Sequence, residues 1–545
     1  MDIKKNLVIV ILILSFLLVF VNLGNRVISA DESLTTIVAK TVAEKGYPSA
    51  LYDNGQLIIT KEGAYANVFG KDVYAWNSWL EYYLAALPLK LFGMSEFMLR
   101  FPFALFGLFT IVLFYFFARK LTNNKEVSLV SLIILATSVP FLLHIRQARW
   151  YPLVMFFSLA LLFSYLCLLK KEKKASFYFI LSAILLFHSN FFIFLSLFFG
   201  LLIHFIFFFK EKNKREIFRK SIVPLLLIFI LTFPWFYLTQ LSKATYLKFS
   251  LMTTVINFFL SCYYIFIYMF PLIFILLIPL IFKKYRTKRK DKESSELKDV
   301  SKNYLLVFIV ILTYLVILSL KIDALPGMRS LIFLMPLFCL IIGNIIYKIK
   351  EKNKVIAYLL LILLIFTNFL HLFPFVFFKS AALNVFENFY AKDSFSPEEL
   401  TSYEKQTFIE NSLNVRFFFF DYLYEITRDY DSSDELIVNY MIKNGNKNDT
   451  FIASSFPNTI LLYTGMNMVD LNAGRIDWIV IRGFKVRADI EENFTKSVNE
   501  KINLSNYDKI VINSLEERWA DAPDPVNHRF KTDKNGTVIL YHLKK

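Results

Sequence analysis

Cysteine is nearly missing from this chain: three in 545 residues, Cys167, Cys262 and Cys339, each inside an apolar run. Neither a disulfide framework nor a zinc-ligand spacing can be built from them. Away from their ends the apolar runs are also nearly free of ionisable side chains, with His204 and His371 the exceptions. Ion-coupled transporters keep charges near the membrane midplane for coupling, so their lack argues against that class. Internal repeats are absent. One set of connections between the runs is short of basic residues and holds only Arg146, Arg149, Lys243, Lys248, Lys321 and Arg329.

What fills the chain instead is apolar bulk. Hydrophobic residues make up 56% of it, with 61 Phe, more than a soluble core can hide, which implies a polytopic membrane protein. The net charge of +17 could suggest nucleic-acid binding, but its location excludes that. Short basic loops at 170–174, 210–220, 283–302 and 348–354, with Lys4, Lys5, Arg119, Lys120 and Lys125, hold 28 of the 61 basic residues. Even with the neighbouring Asp2 and Glu126 counted, only ten acidic residues accompany them, so these segments carry the whole excess. Basic loops on one side are the positive-inside pattern of a membrane protein.

A membrane helix needs about 20 apolar residues. Segments 7–28, 98–118, 127–144, 151–169, 221–238, 256–282, 303–320, 330–347 and 355–376 meet or approach this. The longer run 175–209 has basic loops at both ends and reads as a helical hairpin turning at His188–Ser189–Asn190. Eleven transmembrane helices result, with a cytoplasmic N-terminus and an extracytoplasmic C-terminus. In "VISADESLTT", 27–36, Ala30 resembles a secretory cleavage position. The preceding apolar run exceeds the ~7–15 residues of a signal core, and Ile28 is a poor partner for Ala30, so the helix is expected to be retained.

Two pieces then face outward. In 29–97, the spacing of Leu34, Ile37, Val38, Thr41 and Val42 predicts an amphipathic helix over 32–45 lying on the membrane surface. The stretch 79–93 is too short to span and predicts a second interfacial or re-entrant helix. From about 380 the composition turns polar, and β-rich runs at 449–455, 477–482, 508–513 and 537–542 alternate with helical segments. The expected organisation is a membrane domain over 1–379 and an extracytoplasmic α/β domain over 380–545.

Charge gathers at the outer helix ends. Asp31 and Glu32 follow the first span; Arg146 and Arg149 stand in "RQARWYP" ahead of Tyr151, and Arg329 opens the tenth span. At i,i+3 spacing, Arg146 and Arg149 would share a helical face. Paired guanidiniums suit a phosphate through bidentate contacts, although both could instead snorkel to lipid headgroups. Asp31 could equally cap the following helix, and Arg100 is either a further cation or a flanking anchor. One carboxylate to take a proton from an incoming hydroxyl, with cations for a departing phosphate, is the minimum for displacement at an anomeric carbon.

The order of "ADE" after the first span, "GMSEFMLRFPFALFGLFTIVLFYFFARKLT", "RQARWYPLVMFFSLALLF", "FPW" at 233–235 and "PGMRSLIFLMP" at 326–336 resembles one glycosyltransferase group. This is the protein O-mannosyltransferase and aminoarabinose (lipid A) transferase branch of the GT-C superfamily. The likeness is strongest over 1–170 and diffuse to about 376. It implies a GT-C fold and transfer of a hexose or pentose, with inversion, from a polyprenyl- or dolichyl-phosphate donor. The acceptor would be a hydroxyl of a lipid, glycan or protein on the outer face of a prokaryotic plasma membrane.

By that resemblance Asp31 acts as, or assists, the base, with Glu32 beside it touching acceptor or neighbouring groups, while Arg146, Arg149 and Tyr151 hold the donor phosphate. One departure stands out. Lipid A-modifying members carry a Glu-Lys-Pro-type motif where this chain reads "YAWNSWLEYY", 74–83. Asn77 and Glu81 could stand in for it, and a divalent cation is left open. A receptor or assembly scaffold without chemistry would not need Asp31, and a lipid-linked glycan flippase would want a charged cavity across the membrane.

Overall fold

The computed structural model describes residues 3–52, 58, 64–208, 214–239, 251–277, 294–320, 327–376, 414–429, 432–454, 457–482, 488–514, 525, 528, 530–531 and 536–544. Lys243, Lys248, Lys321 and most of the charge run at 283–302 lie outside them. Helix α1 (Ile3–Phe20) leads through a short linker into α2 (Ala30–Lys45). A hairpin of β1 (Tyr65–Val68) and β2 (Lys71–Tyr74) follows, and then α3 (Leu80–Phe92). The apolar part continues as α4 (Glu96–Thr122), α5 (Lys125–Ala136), α6 (Val139–Ile145), α7 (Tyr151–Leu169), α8 (Ala175–Ser189), α9 (Phe191–Phe208) and α10 (Lys214–Leu238). It closes with α11 (Leu251–Tyr268), α12 (Ser294–Ser319), α13 (Met328–Lys352), α14 (Lys354–Phe366) and α15 (Phe369–Val376).

Among the described residues, four helices are long and apolar enough to cross a membrane: α4, α7, α11 and α13. The pair α5 and α6 would make a fifth, bent by 63°. The expected straight helix over 127–144 is therefore broken. Thr137 and Ser138 leave the helical path, and Pro140 restarts it in the first turn of α6, where its missing N–H costs nothing. Six shorter apolar helices occupy the other expected segments. The run 175–209 divides at a single extended residue, Asn190, between α8 and α9. Three expected spans are shorter than read: α1 ends at Phe20, α11 stops at Tyr268 just before Pro271, and 355–376 breaks at Thr367 and Asn368. Asn368 accepts from the Arg416 N–H and donates to the Asn414 carbonyl, so the break joins the following polar part.

Close packing in the bundle relies on small residues. Gly343 of α13 faces Ser131 of α5 so tightly that a Cβ would come within 2.9 Å of the Ser131 Cα. The most instructive departure is α2. The sequence pattern suggests a surface helix, yet α2 is buried on nearly every face, packed between α3 and the polar part. Its Ser and Thr residues permit this, because Thr36 and Thr41 satisfy their hydroxyls on backbone carbonyls of their own helix.

The polar part begins with α16 (Phe418–Ile426) and α17 (Ser433–Asn444). It then holds β3 (Thr450–Ala453), α18 (Pro457–Thr464), β4 (Asn467–Met468), β5 (Trp478–Ile481), α19 (Ala488–Lys501), β6 (Tyr507–Ser514) and β7 (Gly536–Leu543). These strands form one sheet in the order β4-β3-β5-β7-β6. Pairing is parallel for β4/β3 and β3/β5 and antiparallel for β5/β7 and β7/β6. All four β-rich runs read from the sequence are strands. The centre of the sheet, β5, is buried along its whole length, as a strand covered on both faces requires.

Candidate active site

The linker between α1 and α2 exposes backbone carbonyls that need donors, and two arginines collect them. Arg146 donates from Nη1 to the Leu18, Val19 and Val21 carbonyls at 3.2, 2.8 and 2.9 Å, and from Nη2 to Asn22 at 3.0 Å. Its positive charge thereby sits on the negative end of α1. Arg100, on the first turns of α4, donates to the carbonyls of Leu23, Arg26 and Val27. Its Nε and Nη2 also grip both oxygens of the buried Glu32 carboxylate, at 3.1 and 2.6 Å. Glu32 Oε1 accepts in addition from the Ala148 N–H at 2.6 Å. One carboxylate thus ties α2, α4 and the connection between α6 and α7.

The polar part holds the same linker from the other side. Tyr422 donates to the Leu18 carbonyl at 2.6 Å, and the Ile28 N–H donates to the Tyr463 hydroxyl at 2.7 Å. Arg26 pairs with Glu425 at 3.1 Å, and His528 Nε2 approaches the second oxygen of Glu425 at 2.6 Å. Burial opposes ionisation of Glu425, but Arg26 and His528 outweigh it and hold the carboxyl below its usual range.

This clamped linker delivers Asp31 to the first turn of α2. The N-cap is Ser29 rather than Asp31, and it makes no side-chain cap, so the Asp31 carboxylate is engaged elsewhere. Arg329 of α13 reaches Oδ2 at 2.8 Å, and Arg149 Nη2 lies 3.6 Å from the same oxygen. Both Asp31 and Arg329 are about half open to solvent, at 45% and 54% of their side-chain surface, whereas Arg149 is buried. Arg149 is fixed by bonds from Nη1 to the Thr35 hydroxyl at 2.6 Å and the Asp31 carbonyl at 3.2 Å. Burial pushes the Asp31 carboxyl up, but the two guanidiniums prevail and hold it below the ordinary carboxylate value.

Behind Arg149 lies Glu81 of α3, fully buried, with Oε2 4.0 Å from Arg149 Nη1 and Oε1 3.5 Å from the Asn77 amide. Burial raises the pKa of Glu81 despite Arg149. Tyr151 is buried beneath, its ring 6.0 Å from the Arg149 guanidinium and edge-on to His144. Among the described residues no group of three His, Cys, Asp or Glu is gathered to hold a metal ion.

The structure brings together Asp31, Arg149, Tyr151, Arg329, Asn77 and Glu81. It separates Glu32 and Arg146 from them. Successive helical residues point about 100° apart, so Asp31 faces the open side while Glu32 turns inward to Arg100. The expected common face of Arg146 and Arg149 required a helix, but α6 ends at Ile145 and 146–150 is irregular. Their side chains consequently go to different partners. Arg100, read as a cation or an anchor, is the buried partner of Glu32. Thr35 and the buried tyrosines Tyr74 and Tyr82 near Glu81 were not legible as site residues, because single hydroxyls leave no spacing pattern.

Residues 78–238 match the family model described as dolichyl-phosphate-mannose-protein mannosyltransferase. A curated relative, an uncharacterized protein of Aquifex aeolicus (strain VF5), is 33% identical over 164 residues, covering 30% of this chain and 29% of the relative. The chain therefore spans less than a third of the length of that relative. Among solved structures, ArnT from Cupriavidus metallidurans bound to undecaprenyl phosphate superposes with a TM-score of 0.54 at 9% identity, covering 98% of each chain. The archaeal oligosaccharyltransferase AglB from Archaeoglobus fulgidus, in complex with an inhibitory peptide and a dolichol-phosphate, gives 0.42 at 11% identity, over 88% of this chain and 69% of that one.

Proposed function

From a GT-C membrane fold related to the protein mannosyltransferase and ArnT group, we propose that this chain is a membrane glycosyltransferase using a polyprenyl- or dolichyl-phosphate-linked sugar. The observation that carries this reading is the Asp31 carboxylate, open to solvent and set between Arg329 and Arg149. The family description of residues 78–238 names a dolichyl-phosphate sugar, which supports the same donor class. The basic loops on one side support an outward-facing site and an extracytoplasmic polar part on a plasma membrane.

The chemistry follows from charge. With Asp31 ionised and both arginines protonated, the three groups carry one net positive charge, which attracts a phosphodiester. As the donor arrives, Arg329 moves from Asp31 to the phosphate. An exchange between two half-exposed groups costs little, because such pairs contribute only about 0–1 kcal/mol. Asp31 Oδ2 is then free to accept the proton of the incoming hydroxyl. The acceptor oxygen bonds to the anomeric carbon from the side opposite the phosphate while the bond to the phosphate oxygen breaks, giving inversion. The departing polyprenyl phosphate is stabilised by Arg329 and by the field of Arg149. Tyr151 and Thr35 keep Arg149 in place. Glu32 and Arg146 act at one remove, by fixing the linker that carries Asp31.

The test supplies the purified full chain with a panel of polyprenyl-phosphate sugars and scores transfer and anomeric configuration. Inverted product from at least one donor, lost in Asp31→Asn, is expected. Full turnover in Asp31→Asn sinks the base assignment, and no transfer from any donor sinks the enzyme class.

A further inference from the structure

Glu81 is a buried acid for which the transfer step has no use. Its Oε2 makes no hydrogen bond of good geometry among the described residues; the Tyr82 hydroxyl and the Trp150 N–H lie near enough to favour its anion, but burial outweighs them, and the closest cation is the Arg149 guanidinium at 4.0 Å. A glutamate in a dry interior is costly as an anion unless it is paired and hydrogen-bonded. At 4.0 Å from Arg149 it is near enough to cancel that charge without forming a tight pair. We propose that Glu81 positions Arg149 and competes with the donor phosphate for its charge, so that the protonation state of this one carboxyl sets donor affinity. This rests on the donor reading above.

The charge balance gives the direction. When Glu81 is protonated, Asp31, Arg149 and Arg329 carry one net positive charge, and when it ionises the sum falls to zero. Asp31 from α2, Tyr74 from β2, Tyr82 from its own helix, and Arg149 from the connection ahead of α7 are the charged and titratable groups acting on Glu81 or acted on by it. Burial lifts Tyr74 and Tyr82 above the ordinary tyrosine range. Arg149 stays protonated and Asp31 titrates below its usual value. Glu81 is therefore the carboxyl in this set that is held above its usual value, and because burial raises its pKa, the positive state persists to a higher pH than for an ordinary carboxyl.

The experiment measures binding rather than turnover. Undecaprenyl methyl phosphate, a phosphodiester without a sugar, keeps a constant charge from pH 5 to 9 and is titrated into the full chain in nanodiscs. The dissociation constant of the unaltered protein is expected to rise at least about tenfold across that range. Glu81→Gln, which keeps the shape and cannot ionise, is expected to bind tightly with no slope. A flat profile in the unaltered protein overturns the proposal whether or not the variant folds, as does a slope that survives in Glu81→Gln. No binding at any pH overturns the donor reading itself, a distinguishable result.

Discussion

Asp31 and Glu32 are adjacent acids to which the proposed mechanism gives opposite tasks, and replacing each by its amide separates them. The Glu32 carboxylate accepts two bonds from Arg100 and one from the Ala148 N–H, all buried. Breaking a buried ion pair typically costs about 3–5 kcal/mol. Arg100 keeps three carbonyl acceptors after the change, so Glu32→Gln belongs at the lower end, near 3 kcal/mol. Asp31→Asn removes a half-exposed contact with Arg329, worth about 0–1 kcal/mol, and the looser 3.6 Å pair with Arg149, which keeps its bonds to the Thr35 hydroxyl and the residue-31 carbonyl. Loss of a general base, by contrast, costs roughly 10²–10⁴-fold in rate. The assay pairs thermal unfolding of the solubilised chain with turnover per folded molecule. Glu32→Gln is expected to melt early and turn over normally while folded; Asp31→Asn is expected to melt like the parent and fail to turn over. A Glu32→Gln protein that melts with the parent yet loses turnover would show that Glu32 reacts, and would refute the division of labour.

Other outcomes follow from the same geometry. In the proposed mechanism Asp31 works ionised, and its pKa is lowered, so the acid limb of the rate profile is expected below the ordinary Asp value of about 3.9. Arg329→Ala is expected to move that limb upward and to raise the KM for donor. Arg146→Ala removes one donor from each of four carbonyls around the end of α1, of which Leu18 keeps Tyr422 and Asn22 keeps the Asn25 N–H; a loss of about 2 kcal/mol is expected in unfolding, with turnover of the folded fraction unchanged. Gly343→Ala drives a Cβ against Ser131, and overpacking of this kind costs about 1–3 kcal/mol, read as a lower melting temperature.

Legibility in the sequence tracked the physical range of each signal. Apolar runs and alternating β-rich runs report burial over many residues, so each expected membrane segment contains a helix among the described residues and all four strands are present. Ends and breaks depend on single residues such as Pro140 and Asn368, and there the reading slipped. The buried α2 was mistaken for a surface helix because its Ser and Thr residues read as polar until their hydroxyls are seen bonded within the helix. Within the candidate site, Asp31, Arg149 and Arg329 stand out in the sequence as unusual charge at helix ends, and the structure brings them together. The same reasoning swept in Arg146 and Glu32, since charge at a helix end looks alike whether it faces a substrate or ties down a linker. Only the irregular path of 146–150 and the partner Arg100 distinguish them.

The linker of residues 18–28 is held from below by Arg100 and Arg146 and from above by Tyr422, Tyr463 and Glu425. Three residues beyond Ile28 stands Asp31. Any tilt of the sheet-bearing part pulls on a strap fastened at both edges, and the carboxylate moves with it. The polar half is thus fastened to the chain that carries Asp31, and cutting the chain near residue 380 would leave the membrane half without those fastenings.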